Sequence, residues 1–90
     1  MDREMLFAEA IIGKDAEEFI ESELGQYMLG AAEQEAQDAY ESLKTVLPWR
    51  RRKIQELQNR IWRAESFKVW LAELVTSGKQ AMDALDGQPE

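Results

Sequence analysis

An all-α chain is the fold class this sequence predicts, on three observations. Prolines occur only at positions 48 and 89, and no stretch alternates β-branched with polar residues as a half-buried strand would. Apolar side chains instead recur at three- and four-residue intervals across most of the 90 residues. Helix-start and helix-stop signals fall between those periodic stretches. The pattern predicts a long antiparallel helical hairpin, with arms over about 23–47 and 49–77, and short N-terminal helices packed over its open end. The length is that of one domain, residues 1–86, followed by a frayed tail at 87–90.

The first short helix is expected from Asp2 to Ile12, burying some of Met5, Leu6, Phe7, Ala10, Ile11 and Ile12. Gly13 ends it, because glycine adopts the left-handed C′ conformation without a Cβ penalty. Asp15-Ala16-Glu17-Glu18 then reads as a capping box opening a second helix, which turns Phe19, Ile20 and Leu24 inward. A break or kink is expected between Ser22 and Gly25, where Ser22 can cap a new helix starting at Glu23.

In the first arm Leu29, Ala32, Ala36, Ala39, Leu43 and Val46 form the inward seam, and its alanines permit close helix approach. Pro48 suits the first turn of the next helix, where its missing N–H costs nothing. The second arm carries the clearest periodicity. Ile54, Leu57, Ile61 and Ala64 lead through Lys68 to Leu71, Val75, Gly78, Met82 and Leu85 in unbroken heptad phase. Ser77-Gly78 is a stop signal inside this run, but the phase argues for continuity. Beside the seam, Phe67, Trp70 and Leu74 broaden the apolar surface for Phe7, Ile11, Phe19 and Ile20 to cover. Trp70 is thus expected in the core, and Trp49 as a cap on the bend.

Composition removes several function classes. The chain has no cysteine and no histidine, so disulfides, thiolate metal sites and the commonest general base are absent. Its serines and threonines stand in no nucleophile or phosphate-loop motif. Glu17 and Glu21 share a helix face and could hold a hard cation, yet no Asp-rich loop surrounds them. They read as a solvated face matched to the helix dipole, and no cofactor or metal is expected. The longest uncharged run, Gly25 to Ala32, is far short of the roughly 20 residues of a membrane span. No secretory signal opens the chain, so a cytoplasmic location is expected.

Charge is distributed unevenly. Residues 1–47 hold twelve acids and three bases, residues 48–90 six acids and eight bases, within a net charge of −7. The basic corner Trp49, Arg50, Arg51, Arg52 and Lys53 follows the proline, and Arg60 and Arg63 continue its stripe along the second arm. Cations interleaved with aromatics suit a nucleic-acid backbone and its bases. Four cations at a helix start also oppose their own dipole and call for an anion. Hairpin geometry offers an internal anion. Positions level with one another sum to about 95 at equal rise, placing Lys53 near Glu41 and Arg60 near Glu33 and Glu35. Only Arg50, Arg51 and Arg52 are left unexplained. Trp62 lies off both stripes and is expected to touch a partner if it is exposed.

Phe19-Ile20-Glu21-Ser22-Glu23-Leu24-Gly25-Gln26-Tyr27, Glu56-Leu57-Gln58-Asn59-Arg60-Ile61-Trp62, Ala64-Glu65-Ser66-Phe67 and Trp70-Leu71 carry a resemblance. Across most of its length the chain resembles a group of small bacteriophage and prophage proteins. The resemblance implies a virus-encoded helical protein connected with particle assembly, in the host cytoplasm or the virion, and transfers no functional residue.

These readings converge on a non-enzymatic helical protein that self-associates into a homo-oligomer and could also engage another phage protein. Too little area is buried by a bare two-helix hairpin for it to stand alone. The alternative is a nucleic-acid-binding accessory protein using the corner at 50–53. No membrane partner is expected.

Overall fold

The computed structural model describes residues 2–87, and these are all-α: helices α1 (Arg3–Glu21), α2 (Glu23–Thr45) and α3 (Arg51–Gly87). Of the frayed tail expected at 87–90, Gly87 is instead the last residue of α3, and 88–90 lie outside the described residues. Two compact units share these helices, Tyr27–Val69 and the combination of Met1–Gln26 with Trp70–Glu90, called here the central and terminal units.

α1 is one helix of 19 residues, not two short ones. Asp2 caps it in extended conformation, its carboxylate accepting from the Glu4 N–H at 3.2 Å. The stop expected at Gly13 does not occur, and the capping box at Asp15 is not used. Gly13 is instead a packing residue. A Cβ placed on it would lie 2.6 Å from Gly78 Cα and 2.8 Å from the Leu74 carbonyl oxygen. Helix interior with no side chain is what the contact requires there, so the position serves tertiary approach and not termination. Leu6, Ala10 and Ala81 form the buried cluster beside this crossing, with Leu85 packed against it.

Ser22 alone separates α1 from α2, as its cap role predicts. Its N–H donates to Glu18 and Phe19 oxygens at 3.0 and 3.1 Å, closing α1. Its hydroxyl donates to the Phe19 carbonyl at 2.6 Å and accepts from the Gly25 N–H at 2.9 Å, opening α2. Gln26 Nε2 adds a bond to the Ile20 carbonyl at 2.5 Å. Gly25 faces the end of α1 so closely that a Cβ would overlap the Phe19 carbonyl oxygen.

α2 ends at Thr45, two residues earlier than expected, and α3 starts at Arg51, not 49. Pro48 is therefore not a first-turn helix residue. It occupies the second position of a turn closed by the Arg50 N–H donating to Leu47 O at 3.0 Å, where its fixed φ is pre-set. Proline also disfavours helical geometry at Leu47, which ends α2 upstream. Arg50 O accepts from the Ile54 N–H at 3.0 Å, beginning α3.

In the central unit, α2 and α3 meet through Ala39, Leu57 and Ile61, with Leu43 against them. Most of the seam predicted for α3 is buried or half-buried, including its passage through Gly78, but Lys68 is exposed and one position shifts. Ala81 is buried at 2% exposure, while Met82 is exposed. Close approach at Gly78 draws in the small neighbour and pushes the larger one to the flank. The core role expected for Trp70 is not observed. It is 59% exposed, because the α1–α3 contact line runs through glycines and alanines and leaves bulky residues at its sides.

Candidate functional site

The candidate residues in the central unit divide into two groups. Trp49 and Arg50 lie in the turn, and Arg51, Arg52 and Lys53 form the first turn of α3. Together they line a shallow groove. Trp49 is 73% exposed and covers nothing, so it is not the cap on the bend that its position suggested. The first turn of α3 contains no acidic residue. Its dipole and its side chains are therefore of like sign there. Arg50, Arg51 and Arg52 are exposed, and none of them joins an ion pair among the described residues. Lys53 sits 3.9 Å from Glu56 on its own helix, not opposite Glu41. Glu41 is bonded to Lys44 at 3.2 Å, one turn away on α2. Local i,i+3 geometry outcompetes the cross-helix pairing in both cases.

The second group lies further along α3. Arg60 Nε stands 3.5 Å and Arg63 Nη2 3.7 Å from the same Glu35 oxygen across the contact. The cross-helix pairing predicted for Arg60 is present, and its acid is Glu35. These groups are partly exposed, so each pair contributes about 0–1 kcal/mol. Glu56, Asn59, Arg60, Trp62 and Arg63 line one groove on the outer side of this arrangement. Trp62 is 64% exposed. All three tryptophans are thus at the surface. A buried tryptophan removes 150–250 Å² from water, so leaving three exposed forgoes a large apolar term.

Two features of the surface had no sequence signal strong enough to single them out. Tyr40 donates its hydroxyl to Glu65 Oε1 at 2.7 Å, across the α2–α3 contact. That bond, and next the charge of Glu65, raise the Tyr40 pKa above its ordinary 10.0. Ala32, Ala36 and Ala64, with Tyr40, Lys68 and Val69, line an open groove on that side. The small residues of the seam leave room that larger ones would fill.

Among the described residues no group of three or more acids converges to hold a metal ion, and no helix is long and apolar enough to cross a membrane. No protein-family model, curated protein or solved structure matches this chain.

Proposed function

We propose that the chain is a non-enzymatic helical interaction protein that works as a homo-oligomer. One observation carries the reading. Among the described residues fifteen large apolar side chains are exposed, spread over both units. The exposed portion includes Trp49, Trp62 and Trp70, with Phe7 and Ile11 also uncovered. Aromatic anchors of this kind dominate interface energetics. Antiparallel arms joined at the turn, with α1 against the far part of α3, give such a protein its helical scaffold. The resemblance to small phage and prophage proteins fits a part in particle assembly, and that context belongs to the same proposal. Sedimentation of the full chain tests it: an oligomer across the micromolar range is expected, and a monomer throughout rejects it.

A second reading rests on a separate observation, the three exposed arginines at 50–52 beside the exposed Trp49. It is a nucleic-acid contact. Fluorescence anisotropy with single-stranded DNA should then show binding that weakens steeply with salt through counterion release. Replacing Arg50, Arg51 and Arg52 together by Glu should abolish it. Equal binding by this variant and the parent chain excludes the reading.

A further inference from the structure

The nucleic-acid reading, on which this inference rests, accounts for the arginines at 50–52 but gives Trp62 no part. Trp49 and Trp62 are each followed directly by arginine in the sequence. Each also lines a shallow groove with cations, Trp49 beside Arg50, Arg51, Arg52 and Lys53, and Trp62 beside Arg60 and Arg63. Residues 49–63 hold six bases and one acid, within a chain of net charge −7.

Helix geometry joins the two grooves. At about 100° per residue, Arg51, Arg52, Gln55, Asn59, Trp62 and Arg63 lie on the half of α3 opposite Leu57 and Ile61, the residues that pack on α2. All six are exposed. Glu56 is the one acid on that half within 51–63, and Lys53 stands 3.9 Å from it. Arg60 and Arg63 share Glu35, whereas Arg50, Arg51 and Arg52 join no ion pair among the described residues. The first groove therefore holds the uncompensated positive charge, and the second offers an indole with polar neighbours. From Arg51 to Trp62 the helix rises about 17 Å. One strand covers that distance with about five nucleotides, at roughly 3.4 Å for each.

We propose that single-stranded nucleic acid lies along this face of α3, with phosphates on Arg50, Arg51 and Arg52 and a base stacked on each of Trp49 and Trp62. Charge complementarity selects a polyanion. The two exposed indoles, 73% and 64% accessible, select one that carries flat rings, because every base presents a π-face to an aromatic side chain. In a duplex those faces are already stacked on neighbouring bases, and freeing one costs energy. Gln55 and Asn59 place hydrogen-bonding groups without negative charge between the two ends of the path.

The experiment is fluorescence anisotropy of a labelled oligothymidine of about twelve nucleotides, and of a duplex of equal length, with the full chain over a range of salt. The single strand should bind more tightly. Arg51→Ala should weaken it and lower the slope of log K against log salt by about 0.7, the loss of one phosphate contact. Trp62→Ala should weaken single-strand binding about tenfold at an unchanged slope and leave duplex binding as it was. Trp70→Ala removes an exposed tryptophan outside the central unit and should change nothing. Circular dichroism reports whether each variant keeps its helices. If the variant with Arg50, Arg51 and Arg52 all replaced by Glu binds as the parent does, the nucleic-acid reading falls and this inference with it. If binding needs those arginines but ignores Trp62, or treats duplex and single strand alike, the reading stands and the stacked path is overturned. Trp62→Ala that breaks up an oligomer in sedimentation while DNA affinity holds assigns Trp62 to a second copy and overturns it too.

Discussion

The two helix contacts of this molecule are built by opposite means. In the central unit, bulky apolar residues fill the contact, with Leu57 1% exposed beside Ile61 and Leu43, and arginines reach Glu35 across it. In the terminal unit, the backbones themselves touch at Gly13 and Gly78, flanked by Ala10, Ala16 and Ala81. The first contact draws its stability from area removed from water, the second from closeness. Filling tolerates small changes of shape, whereas closeness tolerates no added atom.

Substitutions can break that contrast. The largest effect is expected at Leu57→Ala, which empties the central contact and should cost about 2–5 kcal/mol in urea unfolding. Next come Gly13→Ala and Gly78→Ala. Each puts a Cβ 2.6 Å from the opposing Cα, and overpacking of this kind costs about 1–3 kcal/mol. Alanine's better helix propensity returns roughly 1 kcal/mol, so a smaller net destabilisation should remain. Gly30→Ala is the control. A Cβ there meets nothing within 4 Å, so the same change should stabilise by about 0.5–1 kcal/mol. If all three glycine variants behave alike, the close contact is not what holds the terminal unit.

Smaller effects sharpen the picture of the central unit. Glu35→Gln should cost no more than about 1 kcal/mol, and the loss should vanish in high salt, because both arginine pairs are partly exposed. The Tyr40–Glu65 bond gives the finest probe. Tyr40 donates as the neutral phenol and its pKa is raised in the folded state. Its contribution is therefore complete below the ordinary value of 10.0 and is lost as pH rises through the folded value. In a Tyr27→Phe background, tyrosinate absorbance should titrate above 10.0, and Glu65→Gln should bring the midpoint back towards it.

Much of the helical framework was legible because apolar periodicity is a local signal. The seam from Ile54 to Leu85 and the cap at Ser22 could be read from spacing and side-chain chemistry alone. The misreadings share one physical cause. Gly13 and Pro48 each have two common uses, and the neighbouring element decides between them. Whether Gly13 ends a helix or admits another backbone depends on Gly78, 65 positions away in the sequence. Met82 and Ala81 exchanged roles for the same reason, since heptad phase assumes side chains of ordinary size at the interface. At the basic corner, residue types identified the exposed cations. They could not show that Lys53 would bond within its own helix while Arg60 reached across to Glu35.

Ser22 has a consequence for how the chain can vary in length. One hydroxyl and one amide close α1, and the same hydroxyl and the Ser22 carbonyl open α2, with Gly25 fitted against the last turn. An added residue would rotate the start of α2 by about 100° and carry Gly25 away from the Phe19 carbonyl. The link at 46–50 makes a single turn bond and presents exposed side chains at 47–50. Insertions and deletions among natural variants should therefore collect there and be missing at Ser22, which is a joint of fixed length.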